Sequence, residues 1–258
     1  MKGKLKIILK KPLEPLIYFE CKIFAWLVSM SYRHLKWIQW RIAPKPEYFD
    51  HHIDLYYQWI ATRNPLWLER GIFGGLTLKG GKTLELACGD GFNACNFYSS
   101  KSKTIIACDF DPKAIKTAKL KNYSPNIEYV QADIRVNMPQ GQFDNVVWDA
   151  AIEHFTPDEI KKILFDIKKR LKGNGILCGY TIVERKNQTK SLSQHEYEFK
   201  NKEDLLSFIS PHFKNVKIFE TIYPERHNLY FWASDREDAI PFNNNWPNVI
   251  NHKYEFAK

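Results

Sequence analysis

The chain has 258 residues, 44% of them hydrophobic and 15% aromatic, enough to bury one large core and to carry extensions. Its five cysteines are odd in number and include no C-x-x-C pair, which argues against a disulfide framework or a zinc site, and no metal site is expected. The net charge of +9 is unevenly placed: residues 1–45 hold ten basic side chains against Glu14 and Glu20, a net +8, so the remaining body is nearly neutral and its substrate groove need not be basic.

Residues 1–45 read as a basic helical extension. Leu16 to Ile42 contains neither proline nor glycine and predicts one helix. Its longest uncharged run, Ile23–Tyr32, has ten residues, too few to span a bilayer. On a helical wheel Lys22, Ser29, Arg33 and Lys36 form one narrow stripe, while Phe19, Ile23, Phe24, Leu27, Met30, Trp37 and Ile38 cover much of the remaining surface. A basic stripe on an apolar, Trp-rich helix suits the surface of an anionic membrane. Packing on the catalytic domain, or on a second copy in a homodimer, is the competing reading, and a basic arm for RNA is a third. A secretory signal fits less well, because Glu20 and Lys22 interrupt the apolar region and no small-residue cleavage site stands out. The expected location is cytoplasmic, or peripheral on the inner face of the membrane.

A catalytic domain is expected over residues 46–235, opening with an entry segment at 46–81. Strands are predicted near 82–87, 104–109, 127–132, 143–149 and 175–183, and helices at 92–100, 112–121 and 157–172. This alternation predicts an α/β fold with a doubly wound, mostly parallel sheet. Gly173 and Gly175 are expected to stop the last of these helices and turn the chain into its strand. A polar loop at 185–190, a helix near 201–209 and strands at 216–223 and 229–233 follow. The tail, 236–258, is polar and unassigned, and no internal repeat is visible.

The most informative stretch runs from Thr83 to Ala94, where an apolar strand breaks into a turn containing Gly89 and Gly91. Glycines permit a tight turn and close approach of backbone N–H groups to a ligand. An acid, Asp109, ends the next strand about 20 residues on, the spacing at which a crossover unit grips a ribose diol. A third glycine for a pyrophosphate is missing, and Glu85 and Asp90 bring negative charge to the turn. A cationic or zwitterionic nucleoside suits it better.

Glu85-Leu86-Ala87-Cys88-Gly89-Asp90-Gly91 resembles the first motif of class I S-adenosylmethionine (SAM) methyltransferases, with Ala87 standing where that family more often has its first glycine. The resemblance continues in order. It takes in Asp109-Phe110-Asp111-Pro112, then Val130-Gln131-Ala132-Asp133-Ile134, then the run from Gly141 to Asp149 with its loop Ala151-Ile152-Glu153-His154-Phe155, and finally Leu171 to Leu177. It implies a seven-stranded sheet closed by a C-terminal antiparallel hairpin, with SAM as the cofactor. By the same resemblance Glu85, Ala87, Gly89, Gly91, Asp109, Phe110, Asp133, Ile134 and Asp149 line the cofactor, Asp109 on the ribose and Asp133 on the adenine amino group. Arg70 is expected either to pair with the methionine carboxylate or to bridge Glu69 or Asp54 at the surface. The aromatics between Tyr48 and Trp59 are expected to form a lid or to pack as core.

Methyl transfer from a sulfonium is an in-line displacement that needs a base only when the acceptor is protonated. His154, after the fourth strand, and His195, beside Glu196, Tyr197 and Glu198, are the candidate bases. Amino-methylases of nucleic-acid bases carry an Asn/Asp-Pro-Pro-aromatic run where this chain reads Asp149-Ala150-Ala151-Ile152. Nor is there a Pro-Cys dipeptide for attack on a pyrimidine. Nucleic-acid bases are therefore disfavoured. The expected reaction is methyl transfer, to oxygen, on a small or membrane-associated acceptor such as a glycan or lipid-linked metabolite. RNA methylation through the basic arm and a non-catalytic interaction protein that keeps the fold are the alternatives.

Overall fold

A computed structural model describes residues 13–38, 65–185, 190–224, 226–241 and 247–251. The chain divides into two compact units, Met1–Tyr57 and Gln58–Lys258. In the first, helix α1 spans Glu14–Trp37, with Pro15 in its opening turn, where a missing N–H costs nothing. Large apolar side chains along it, including Leu16, Phe19, Phe24, Trp26 and Met30, face solvent. Lys22 Nζ lies 4.5 Å from the centre of the Tyr18 ring. Among the described residues no helix is long and apolar enough to cross a membrane. The aromatic stretch from Tyr48 to Trp59 lies outside the described residues.

The second unit opens with helix α2 (Leu66–Gly75) and continues through β1 (Lys82–Leu86), β2 (Thr104–Asp109), α3 (Pro112–Lys121), β3 (Ile127–Gln131) and β4 (Phe143–Asp149). It proceeds through α4 (Pro157–Arg170), β5 (Leu171–Ile182), α5 (Lys202–Ile209), β6 (Asn215–Tyr223), β7 (Arg226–Ser234) and the short β8 (Val249–Asn251). Local chemistry sets the helix starts. Asp111 caps α3 by accepting from the Lys113 amide at 2.8 Å, and Thr156 and Glu159 form a reciprocal capping box at α4. Where a regular helix was expected at 92–100, residues Ala94–Tyr98 wind as a π-helix followed by one 3₁₀ turn. Asn96 Nδ2 and Ser99 Oγ donate to the carbonyls of Phe92 and Cys95, four residues back, and compete with the regular α ladder.

The strands form one sheet in the order β3-β2-β1-β4-β5-β7-β6-β8. The first five are parallel, β7 runs antiparallel to both β5 and β6, and β8 lies parallel to β6. The seven-stranded, mostly parallel sheet with its antiparallel C-terminal hairpin is present, and β8, from the polar tail, adds an eighth short strand that pairs with β6 and covers part of its edge. One expectation is corrected here. Gly173 and Gly175 do not form a turn: β5 is continuous from Leu171, and a bulge opposite Phe143 and Asn145 absorbs the extra residues. Gly175 is needed for space, since a Cβ there would sit 2.8 Å from Leu171 Cδ2 and 3.0 Å from the Lys172 carbonyl oxygen.

Successive strand residues point to opposite faces, and each face is covered by helices. Leu84, Leu86, Val146 and Trp148 pack with Ile160, Ile163 and Leu164 of α4 and with Leu205 and Ile209 of α5. Ile105, Ala107 and Val147 pack on the other side with Leu66 of α2, Tyr98, and Ile115 and Ala118 of α3. The same alternation sends Glu85, between Leu84 and Leu86, to the α2 face. The chain leaves β1 for β2 on one side and β4 for β5 on the other, so the crevice between β1 and β4 is the switch point at which such sheets bind ligands.

Candidate active site

Both strands at the switch point end in a strained residue. Ala87 after β1 has φ 52° and Ala150 after β4 has φ 50°, in the left-handed region that side chains disfavour. Ala87 occupies a conformation that suits glycine, which accounts for the glycine more often found there in the class it resembles. Gly89 (φ 55°) and Gly91 (φ 74°) follow in the same loop, for different reasons. A Cβ on Gly91 would lie 2.5 Å from Cε1 of Tyr129, whose hydroxyl donates to the Asn122 carbonyl at 2.6 Å and braces the loop from behind. A Cβ on Gly89 would meet nothing within 4 Å, so the backbone there borders open space.

Acids ring that space. Asp109, buried at the end of β2, accepts from the Gly89 amide through Oδ2 and from the Asp111 amide through Oδ1, both at 2.9 Å. Burial raises its pKa despite those two amides. Glu85 is buried, and its Oε2 has no hydrogen-bond partner among the described residues. Burial first, then Asp149, push it well above the usual carboxylate range, with Arg70 acting in the opposite direction. Oδ1 of Asn93 is likewise buried without a partner. Such orphaned acceptors are rare in folded proteins and call for a donor from a ligand.

The surface position expected for Arg70 is corrected. It is buried, and its Nε and Nη2 donate to Oδ2 of Asp149 at 2.8 and 2.5 Å. Burial works against its charge, but the adjoining carboxylate more than offsets this and raises its pKa. Asn93 Nδ2 donates to the same oxygen at 2.9 Å. Glu69 is not its partner either; that carboxylate is buried under the hydroxyls of Thr221, Tyr223 and Tyr230. Asp54 lies outside the described residues. At the cleft's other side Asp133 is half-buried and held by the Arg135 fork, with Nη2 at 2.7 Å, which lowers its pKa. Phe110 is exposed beside Asp109, and Ile134 is buried.

On the acceptor side, the 3₁₀ turn Ile152–His154 follows β4. His154 and His195 meet edge to face with ring centroids 4.8 Å apart. His195 is buried, with Nδ1 2.5 Å from Glu198 Oε1. Tyr197 packs against Phe199 and Phe208 and donates to Asp204, so it serves the core. Where no metal site was expected, Glu153, His154 and His195 bring potential ligand atoms within 4.8 Å of one another. Sequence reading also missed Asn93 as a partner of Asp149; the only local signal was its place after the glycine turn.

This strand order, with acids closing β1 and β2 and an antiparallel β7, is the fold of the class I SAM-dependent methyltransferases. Residues 83–175 match the methyltransferase domain family. An uncharacterized methyltransferase of Synechocystis sp. is 32% identical over 101 residues, covering 38% of this chain and 46% of that protein. The chain spans about half the length of the curated relatives it matches. Among solved structures, the complex of DhpI with S-adenosylhomocysteine superposes with TM-score 0.53 at 16% identity, covering 81% of this chain and 96% of that one. The N-methyltransferase NodS from Bradyrhizobium japonicum, also bound to S-adenosylhomocysteine, gives TM-score 0.53 at 16% identity over 69% and 92%. The residues fit the cofactor of this class. Asp109 offers a carboxylate to a ribose diol, Gly89 leaves the backbone accessible, and Glu85 is a buried acceptor for a cationic ligand.

Proposed function

We propose that this protein transfers a methyl group from SAM to an oxygen of a small or membrane-associated acceptor, such as a glycan or a lipid-linked metabolite. The observation that carries the cofactor assignment is the orphaned Glu85 Oε2 at the end of β1, beside the open Gly89 turn that Asp109 holds in place. When bound, SAM supplies an electrophilic methyl on a sulfonium. The residues around it do the positioning. Asp109 holds the ribose, Glu85 and Asp90 balance the ligand's positive charge, and Phe110 offers an apolar surface at the mouth. The Arg70–Asp149 pair keeps the floor of the crevice rigid. His154 and His195 mark the acceptor side. Calorimetric titration with SAM and S-adenosylhomocysteine tests this. Micromolar binding that Asp109→Ala abolishes supports it, and no binding by folded protein overturns it. Transfer from labelled SAM to hydroxyl-bearing acceptors then tests the oxygen.

The membrane-associated acceptor rests on α1. Its exposed Leu16, Phe19, Phe24 and Trp26 share a segment with most of the chain's net positive charge. An apolar helix with a basic stripe lies in the plane of an anionic bilayer surface. Vesicle flotation decides between this and a helix that only packs on protein.

A further inference from the structure

The cluster on the acceptor side is built like a metal centre. Glu153 and His154 stand in one 3₁₀ turn after β4, and His195 comes from the segment after β5. Two backbone bonds staple that segment to the turn, since the amides of Glu196 and Tyr197 both donate to the Glu153 carbonyl, at 2.9 and 3.1 Å. A carboxylate oxygen and one nitrogen of each imidazole thereby gather within 4.8 Å. No hydrogen bond joins the three side chains to one another among the described residues, so internal bonding does not explain the gathering.

Each of the three donors is instead oriented from outside. His154 Nδ1 lies 3.2 Å from the Gln194 carbonyl oxygen, and His195 Nδ1 lies 2.5 Å from Oε1 of Glu198. An acceptor at Nδ1 holds the proton there and leaves the lone pair on Nε2. The Glu153 carboxylate accepts from the Thr181 hydroxyl at 3.0 Å. Carbonyl–imidazole, carboxylate–imidazole and hydroxyl–carboxylate contacts of this kind are the outer partners that orient metal ligands. A general base needs one oriented imidazole, whereas two of them beside a buried carboxylate make a ligand set.

We propose that Glu153, His154 and His195 bind a divalent transition-metal ion, zinc or manganese, whose remaining coordination positions hold an oxygen of the methyl acceptor. Imidazole nitrogen favours such ions over calcium and magnesium, which prefer all-oxygen sites. Three protein ligands with positions left open are the pattern of catalytic rather than structural metal sites. Bonds of about 2.0–2.2 Å place ligand atoms about 3.3 Å apart around a tetrahedral ion, so binding draws these side chains together by no more than about 1.5 Å. His154 is half-buried, so the site borders solvent. The site lies at the carboxyl ends of β4 and β5, the same end of the sheet as Glu85 and Asp109. The acceptor-holding role rests on the methyltransferase reading; the ion site itself does not.

The test uses the full chain, stripped with chelator and titrated with zinc and, separately, manganese by calorimetry, with elemental analysis after dialysis. One ion per chain is expected. Binding should be lost in His195→Ala and weakened about 10–100-fold in Glu198→Gln, which keeps the volume and removes the charge of the outer partner. Thermal melting identifies any variant that fails to fold, and SAM is titrated into each in parallel. Substoichiometric binding by the wild type, or equal binding by folded Glu198→Gln and His154→Ala variants, overturns the proposal. Metal binding without SAM binding upholds the ion site and sinks the methyltransferase reading; SAM binding without metal does the reverse.

Discussion

Arg70 reaches from helix α2 to the end of β4 and places two donors on a single oxygen of Asp149, joining residues 79 positions apart in a buried ion pair. Both side chains are more than nine-tenths buried, at 9% and 6% exposure. Arg70→Ala leaves the carboxylate of Asp149 buried with Asn93 Nδ2 as its one remaining side-chain donor among the described residues, and it is expected to cost about 3–5 kcal/mol of stability. Urea denaturation of the single variants and of the Arg70→Met/Asp149→Leu double variant checks this. A double variant recovering most of the loss would show that the penalty is the unpaired charge.

Gly89 and Gly91 should separate cofactor binding from folding. Gly91→Ala drives a Cβ to within 2.5 Å of the Tyr129 ring at positive φ, and a loss of about 2–4 kcal/mol is expected. Gly89→Ala meets no atom within 4 Å and carries only the conformational cost, about 1 kcal/mol. Its methyl instead projects into the cradle, so SAM affinity should fall at least tenfold while the protein stays folded. Equal affinity in Gly89→Ala would place the cofactor elsewhere.

Glu85 predicts a pH-dependent trade. Its pKa is raised in the folded state, so its contribution to stability is fully present below the ordinary carboxylate value and is lost as pH rises through the raised one. Glu85→Gln removes the cost of burying that charge. The variant should exceed wild-type stability at pH 8 by more than at pH 5, while binding SAM more weakly at both. Parallel urea titrations at the two pH values measure the first effect, and calorimetry measures the second. A stability difference that does not change with pH would show that Glu85 is ionised without penalty.

Helix α1 predicts salt-sensitive membrane binding. The full chain should float with vesicles containing anionic lipid and stay behind with neutral ones, and binding should weaken as salt rises. Lys22→Glu combined with Arg33→Glu should reduce flotation several-fold without altering SAM affinity. Flotation unchanged by that pair, or by deleting residues 1–45, would return α1 to a packing role.

Sequence alone determined the elements that depend on near neighbours. The strand–glycine–acid run from Glu85 to Asp109 is legible because turn conformation and strand ends are encoded by adjacent residues. Asp111-Pro112 and Thr156-Pro157 mark their helix starts for the same reason. Tertiary structure decided who meets whom. Nothing in the sequence near Arg70 pointed to Asp149, and packing of α2 over β4 brings the two together. Gly173 and Gly175 read as a turn, yet they fall in the bulge between the Leu171 and Ile176 pairings with β4. The Val249–Asn251 strand forms because β6 offers an unpaired edge, which the polar tail cannot announce. Glu153, His154 and His195 likewise look unrelated until two backbone bonds bring their loops together. Local conformation is set by short-range sterics and hydrogen bonding, whereas side-chain partners are chosen by the burial of whole elements against each other.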